Sequence, residues 1–198
     1  MEENLLVAQD AYLKSGIHIG TKFKTRYMEQ FIYKTRSDGL SVLNLQKIDE
    51  RIRIMSNLLS QYKQEDIVII SRRENGWKAV KLFSKVTGIR GFAGRYPPGI
   101  LTNPQLEEYS EAKVLVVADA WPDRNAIEDA LKIGIPVIGL CDTNNTANNL
   151  DLVVPCNNKG KKSLGLLFYI IAREYMTKRG LLEVGKELPL TMDQFMEE

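Results

Sequence analysis

The sequence predicts an α/β domain in which helices cover both faces of a parallel sheet. Three runs, at 67–70, 114–118 and 137–141, are apolar without polar alternation. Strands of this kind are buried on both faces, which is typical of parallel sheets. From Ile67 to Gly180 such runs alternate with amphipathic helical segments, as in repeated βαβ units. We therefore expect consecutive parallel strands with right-handed crossovers.

Residues 1–43 predict an extension ahead of this body. Apolar residues at helical spacing indicate a short helix over residues 3–14. A turn signal at 36–39 separates two strand-like runs, 31–34 and 40–43, and predicts a β-hairpin. We expect a small N-terminal helix and a hairpin that belong to the same domain as the sheet.

Three amphipathic helices are predicted, one before each of the strands at 67–70, 89–94 and 137–141. Asn44 is the expected N-cap of a helix that reaches about Lys63. Asn75 is the expected N-cap of a second helix, and Gly88 ends it. A third helix is expected to face the sheet with its apolar side, which consists of Ala126, Ile127, Ala130 and Leu131.

The segment Lys132–Asn145 predicts the central unit of a layered α/β domain. A helix ends at Gly134, the strand-like run Val137–Cys141 follows, and polar residues begin at Asp142. Open α/β sheets bind their ligands at the carboxyl ends of the strands. We therefore expect the polar exit of this strand to lie at a functional edge.

Two further strands and a long last helix complete the predicted body. The strands are expected at 89–94 and 152–154. The helix is expected to begin at 159–162, and its apolar stripe consists of Leu164, Leu167, Phe168, Ile171 and Tyr175. Residues 1–180 are thus predicted to form one domain, and residues 181–198, which are acidic, a loosely held C-terminal tail.

Composition indicates a soluble cytoplasmic protein. The chain has 198 residues, of which 44% are hydrophobic, enough for one domain with a full core. Its two cysteines, Cys141 and Cys156, lie in apolar runs, as small core residues of a reduced protein do. No apolar run approaches the length of a membrane span, and the N-terminus lacks the basic start of a signal peptide. We expect no membrane contact, metal or cofactor.

The charges are polarised although the formal net charge is only +2. Lysine and arginine dominate 14–36, 71–95 and 159–179, whereas acids dominate 96–130 and 181–198. Several cations directly follow predicted strands, so they are expected to gather at one edge of the sheet. Such an edge suits phosphate, although a solvated charged face is an equal alternative. The candidate RNA-binding residues are Lys22, Lys24, Arg26, Arg36, Arg72, Arg73, Arg95, Lys159, Lys161 and Lys162.

An enzyme that binds nucleotides or other phosphate ligands is the competing hypothesis. Asp119 and Asp142 each follow a core strand, where acids that bind Mg²⁺ often lie. The simpler alternative is that both carboxylates cap turns. The chain lacks the glycine signatures of dinucleotide and P-loop sites, and it offers no catalytic residues.

Aromatic residues alternate with the cations of the first basic tract. Tyr27, Phe31 and Tyr33 are placed so that they could stack on bases. The simpler alternative, which we prefer slightly, is that they pack the hairpin onto the domain. Both alternatives are compatible with the sequence.

Four blocks of the sequence resemble the S2 family of small-subunit ribosomal proteins. The N-terminal block combines G-I-H-I-G at 16–20 with G-L-S-V-L-N-L-Q-K at 39–47. The second is G-R-Y-P-P-G-I-L-T-N at 94–103, and the third is G-I-P-V-I-G-L-C-D-T at 134–143. The fourth, P-C-N-N-K-G at 155–160, is similar to the archaeal and eukaryotic branch, which includes the laminin-receptor-like SA proteins. Together the blocks cover roughly residues 14–180.

The resemblance implies a flavodoxin-like three-layer α/β/α fold of about five strands and a non-catalytic role. Proteins of this family bind small-subunit rRNA, join late in assembly and help to position initiating mRNA. The resemblance also implies that neighbouring ribosomal proteins are partners. The acids at 107–111 and in the tail would contact these proteins. Only Arg95 and Lys159 of the candidates lie in matching blocks.

Two departures from the family pattern are visible. Asp119-Ala120-Trp121 stands where the family often has Asp-Pro-Arg, so that arginine is absent. The span 44–66 has room for one helix only, so the helical hairpin of the bacterial branch is expected to be missing.

Overall fold

The computed structural model describes residues 5–183, 185, 186 and 188–196. Two single-turn 3-10 helices, Met28–Phe31 and Gln64–Asp66, precede β1 and β3. The strands are β1 (Ile32–Thr35), β2 (Ser41–Leu43), β3 (Ile67–Ser71), β4 (Arg90–Ala93), β5 (Val114–Val117), β6 (Val137–Cys141) and β7 (Leu152–Pro155). The α-helices are α1 (Gln9–Ser15), α2 (Leu45–Ser60), α3 (Glu74–Thr87), α4 (Arg124–Ile133), α5 (Lys161–Lys178) and α6 (Met192–Met196).

Five parallel strands form the main sheet in the order β4-β3-β5-β6-β7. The chain order reverses beside β3, which pairs with β4 on one side and with β5 on the other. This is the flavodoxin-like arrangement, and the predicted three-layer fold is confirmed. Strand β5 lies in the middle of the sheet, and β6, which is the predicted run Val137–Cys141, lies beside it.

Residues that alternate along each strand build two cores. Ile67 and Ile69 of β3 face the larger core, which also contains side chains from α1, α2, α3, α5 and α6. Val68 and Ile70 face the smaller core, which α4 and the loop after β4 cover. Helices on both faces therefore explain why these strands carry no polar alternation.

Helix α5 is the most buried helix. Its predicted stripe is fully buried, and every residue from Ser163 to Ala172 is also buried. The reason is that α1, α2, α3 and α6 all contact it. The single helix α2 confirms that the span 44–66 carries no helical hairpin, and the Asn44 side chain accepts a hydrogen bond from Gln46 N, as expected of an N-cap.

The N-terminal hairpin is confirmed, with β1 antiparallel to β2. The first helix, however, begins at Gln9, later than the predicted residue 3. Leu131 does not face the sheet as expected, because 46% of it is exposed. Asn75 is not the N-cap of α3, which begins at Glu74, and its side-chain amide donates to the Lys159 carbonyl oxygen.

The cysteines are core residues, as predicted. Cys141 and Cys156 are fully buried, and Cys156 N donates to Cys141 O across β6 and the end of β7. Burial raises the pKa of both thiols well above the ordinary range. Both side chains therefore remain neutral thiols at physiological pH.

The C-terminal segment differs from the loosely held tail expected for it. Leu188 and Phe195 are buried, and the Phe195 ring meets Tyr169 of α5 edge-to-face at 5.7 Å. Gly165 permits this contact, since a Cβ there would collide with the Phe195 carbonyl oxygen. The division of the chain at residue 180 remains a prediction, and residues 184, 187, 197 and 198 of the tail lie outside the described residues.

Candidate nucleic-acid interface

The carboxyl ends of the five parallel strands form one edge of the sheet, which we call the carboxyl edge. The segments that leave β3, β4, β5, β6 and β7 all begin there. The N-terminal extension closes over the β6 and β7 side of it. Thr25 N donates to Thr143 O at 2.9 Å, and Asn157 N donates to Ile17 O at 2.8 Å. The chain segment that carries Lys22 and Lys24 is thereby fixed at the same edge as the strand exits.

The two acids of the competing hypothesis have cationic partners within the chain. Arg73 Nε binds Asp119 Oδ2, and Lys159 Nζ binds Asp142 Oδ2 at 3.0 Å. Asp119 is fully buried and Asp142 is 1% exposed, so each pair neutralises a charge that water does not reach. Arg73 and Lys159 therefore serve the fold, and they have less capacity to bind an external phosphate than the sequence suggested.

The expectation that Lys159 lies at the start of the last helix is wrong. Helix α5 begins at Lys161, with Gly160 at its N-cap position. Lys159 instead turns back towards the exit of β6, where it also donates to Asn144 Oδ1 at 2.9 Å. The physical reason is the buried Asp142 carboxylate, which needs a cation at that point.

Side-chain amides join the strand exits into one network. Asn145 Nδ2 donates to Asp119 Oδ1 at 2.9 Å, and Asn145 Oδ1 accepts from Asp142 N at 2.8 Å. Asn158 Nδ2 donates to Asn145 Oδ1 at 3.0 Å. The exits of β5, β6 and β7 are thus held in fixed relative positions, so the cations around them stand on a rigid base. Sequence analysis missed these asparagines, although their signal is visible as Asn after two core strands.

Asp123 fixes the exit of β3. It is 1% exposed, and its two carboxylate oxygens accept from Arg72 N at 3.2 and 3.4 Å. Burial, with a smaller contribution from the Asp119 carboxylate, raises the pKa of Asp123 from its ordinary value of 3.8 to about 7. Near neutral pH this carboxyl is therefore partly protonated and adds less than a full negative charge to the edge.

The remaining candidates are exposed, and the structure brings them to the carboxyl edge or to the hairpin beside it. Arg72 follows β3, Arg95 follows β4, and Lys161 and Lys162 open α5 after β7. The exposed candidates of the N-terminal extension are Lys22, Lys24, Arg26 and Arg36. Five strands spaced by about 4.8 Å make this edge roughly 20 Å wide, comparable to a nucleic-acid helix.

Partners within the chain hold these exposed cations only weakly. Lys24 lies 3.3 Å from Glu29, and Arg36 lies 3.6 Å from Asp38, in pairs that are about half exposed. Such surface pairs contribute about 0–1 kcal/mol, so a phosphate can displace the acid. In the part of the chain that the structure describes, Arg95, Lys161 and Lys162 form no ion pair.

The aromatic residues of the first basic tract divide between the two alternatives. Phe31 is 2% exposed and packs in the core. Tyr33 is 69% exposed, Tyr27 is 45% exposed, and their neighbour Phe23 is 80% exposed. Phe31, directly before β1, therefore anchors the start of the hairpin, and the Tyr27 ring contacts it at 6.1 Å between ring centroids, whereas Phe23 and Tyr33 face solvent among the cations.

The fold and this edge define a binding protein built on a flavodoxin-like body. Among the described residues, no cluster of His, Cys, Asp or Glu is arranged to hold a metal ion, and no helix has both the length and the apolar composition of a membrane span. Which member of that broad class it is follows from comparison with known proteins.

A sequence profile described as "Ribosomal protein S2" matches residues 12–113 and 105–177. The chain belongs to this family, which is one of ribosomal structural proteins and not of enzymes. It is 50% identical over 196 residues to "Small ribosomal subunit protein uS2" of Methanococcus maripaludis strain C5, covering 99% of this chain and 88% of the relative. The proteins of the same name from Nanoarchaeum equitans and Picrophilus torridus are 44% and 42% identical, over 96% and 98% of this chain and 94% and 98% of theirs. The resemblance to the archaeal branch is confirmed, and the enzyme hypothesis finds no support.

Proposed function

We propose that this protein is a structural constituent of the small ribosomal subunit in the cytoplasm and that its carboxyl edge binds small-subunit rRNA. The observation that carries the proposal is the collection of exposed cations around an edge whose buried Asp119 and Asp142 are each paired with a cation. The names of the archaeal relatives support the assignment to the small subunit, and the arrangement of charge supports the choice of this surface as the one that binds rRNA.

The exposed candidates are proposed to contact phosphates, and the paired ones to hold the edge in shape. Lys161 and Lys162 also lie in the first turn of α5, whose free backbone N–H groups and dipole favour an anion. Arg73 and Lys159 are proposed to act through Asp119 and Asp142, by fixing the loops on which their exposed neighbours stand. Binding should therefore be dominated by the RNA backbone and depend steeply on salt.

Further contacts are proposed on the acidic side of the molecule. Glu107, Glu108 and Glu111 are exposed in the loop that covers the smaller core. We propose that they face basic neighbouring proteins of the subunit, as would the acids of the C-terminal segment. Support of late assembly and an indirect part in positioning initiating mRNA complete the proposed role.

The test substitutes Lys161 and Lys162 together by alanine and measures both rRNA binding and incorporation into small subunits. Binding to a structured rRNA fragment should weaken, and the slope of log affinity against log salt should become shallower by about two. Unfolding free energy should change by less than about 0.5 kcal/mol, because both side chains are exposed.

The matched control is the double variant Lys81→Ala with Lys85→Ala. It removes the same charge from exposed positions towards the opposite end of α3, which starts at the carboxyl edge. Equal losses of affinity and slope in both double variants would show that only total charge matters. That result would contradict a contact surface at the carboxyl edge.

A further inference from the structure

We infer that a cleft beside Trp121 holds one unpaired RNA nucleotide, with its base stacked on the indole ring. The inference rests on the proposed rRNA-binding role and adds a second kind of contact to the phosphate contacts of the edge. The Trp121 cleft is the space enclosed by the β5–α4 loop, the first turns of α4 and the β6–β7 loop. Its lining includes Trp121, Arg124, Glu128, Asn144, Asn148 and Asn149.

The cleft has the size of a small-molecule site. Its volume is about 510 Å³, within the range of roughly 300–1,000 Å³ that is typical of ligand pockets. A nucleobase with its sugar is a ligand of the size that such pockets hold. Asn145 of the amide network at the exits of β5 and β6 lines the cleft, so its walls rest on buried side-chain hydrogen bonds.

Trp121 presents a large flat apolar surface to solvent. It is 78% exposed, although its backbone N donates to the buried Asp119 Oδ1 at 3.1 Å and Pro122 follows it. The main chain is therefore fixed while the ring stays uncovered. Exposed aromatic rings on a fixed backbone serve as stacking platforms for bases.

The charge inside the cleft suits a neutral group. Arg124 Nε binds Glu128 Oε1 at 2.7 Å, which leaves the charged lining balanced. The amide side chains of Asn148 and Asn149 are exposed there, and amides both donate and accept hydrogen bonds. The edge of a nucleobase offers the complementary pattern of donors and acceptors.

A cation stands directly outside the cleft. Arg72 Nη1 donates to the Pro122 carbonyl oxygen at 3.3 Å, one residue from Trp121, and the Arg72 side chain is exposed. A stacking ring with amides in the cleft and a guanidinium beside the ring match the base and the phosphate of one nucleotide. A peptide without a carboxylate beside its stacking group would use the ring but leave the guanidinium without an anion, whereas every nucleotide carries its phosphate, so the chemistry favours RNA.

The nucleotide must be unpaired. Bases inside an A-form helix are stacked on both faces, and protein side chains do not enter its narrow major groove. A loop or bulge nucleotide can be turned outwards and present one face to an indole. The Trp121 cleft therefore predicts a preference for single-stranded over fully paired RNA, which phosphate contacts alone do not give.

Fluorescence of the single remaining tryptophan tests the inference. The chain has two tryptophans, so the variant Trp77→Phe leaves Trp121 as the only one. A single-stranded RNA hexamer should quench its fluorescence to saturation, and a blunt-ended, fully paired RNA duplex at the same phosphate concentration should not. With a labelled hexamer, Trp121→Ala should lose about five- to 150-fold in affinity, the range measured for one stacked base, and Trp121→Phe should retain most of it. Tyr33→Ala, which removes another exposed ring, should leave the quenching unchanged.

The outcomes separate this inference from the proposed function. If the hexamer leaves Trp121 fluorescence unchanged while a structured rRNA fragment still binds with steep salt dependence, the cleft is overturned and the carboxyl edge stands. If only a protein of the small subunit quenches Trp121, the occupant is a peptide and the inference is also overturned. Loss of both quenching and salt-dependent binding would overturn both proposals.

Discussion

Substitution of Asp123 by asparagine should change how the stability of this protein depends on pH. Asp123 is almost fully buried, and its carboxylate oxygens accept hydrogen bonds from Arg72 N. Its pKa is raised in the folded protein from 3.8 to about 7, mainly by burial. The folded state therefore binds a proton at Asp123 about a thousandfold more tightly than the unfolded state does, which corresponds to roughly 4 kcal/mol.

The sign of the effect follows from proton linkage. Between pH 4 and pH 7 the unfolded chain ionises at Asp123 while the folded protein keeps its proton. Because the folded state then binds more protons, its free energy of unfolding falls as pH rises through this window. Above about pH 7 both states are ionised and this contribution stops changing. Asparagine, which does not ionise, removes the contribution at every pH.

Urea unfolding of wild type and Asp123→Asn at several pH values between 4 and 8 measures this difference. The stability of wild type relative to the variant should fall by roughly 4 kcal/mol from pH 4 to pH 7.5. Glu108→Gln, at an exposed position, controls for the loss of a carboxyl and should show no comparable trend. A wild-type-to-variant difference that is constant over this range would refute the argument, since it would mean that Asp123 ionises alike in both states.

Two further predictions concern the ion pairs and the C-terminal helix. Lys159→Met should destabilise the fold by roughly 1–3 kcal/mol in urea unfolding because it leaves the buried Asp142 carboxylate without its cation, with a discount for the one-third exposure of Lys159. Adding Asp142→Asn should recover part of that loss, and no recovery would contradict the pairing. Gly165→Ala should displace α6 and raise hydrogen exchange at residues 192–196, because the new Cβ meets the Phe195 carbonyl oxygen. Gly160→Ala is the control, because a Cβ there would lie 3.4 Å from the nearest heavy atom, which is an ordinary van der Waals contact. Equal hydrogen exchange in both variants would show that α6 does not depend on the close approach at Gly165.

The fold was largely predictable because its signals are local. Uninterrupted apolar runs marked β3, β5 and β6, and glycines marked the ends of α3 and α4, where Gly88 and Gly134 adopt positive φ of 74°. The position of α6 was not predictable, because it depends on a contact between Gly165 and Phe195 that are 30 residues apart in the sequence. The segment 181–198 is acidic, and its apolar residues show little periodicity, so its sequence does not indicate that Phe195 packs against Gly165 on α5.

The positions of the candidate residues along the sheet edge were predictable, but their partners within the chain were not. The rule that strand exits share an edge predicted that Arg72, Arg95 and Lys161 each follow a strand that ends at the carboxyl edge, although the order β4-β3-β5-β6-β7 puts Arg95 and Lys161 at its two ends. It could not separate cations that face solvent from those that neutralise buried acids, because Arg73 and Arg72 are adjacent in sequence and differ only in direction. That distinction needs the positions of Asp119 and Asp142, which come from other strands.

The difference between cations that pair with buried acids and cations that face solvent explains how a nearly neutral chain can present a cationic surface. Arg73 and Lys159 cancel the two buried acids at the strand exits, so those acids do not weaken the field of the exposed cations around them. If each of the eight exposed candidates met one phosphate, the slope of log affinity against log salt would approach about −7, and every cation left in solvent would make it shallower. Removal of Lys159 should disturb that slope only through the shape of the edge, whereas removal of Lys161 should reduce it directly. The two lysines lie two residues apart, and the buried carboxylate of Asp142 is what makes them different.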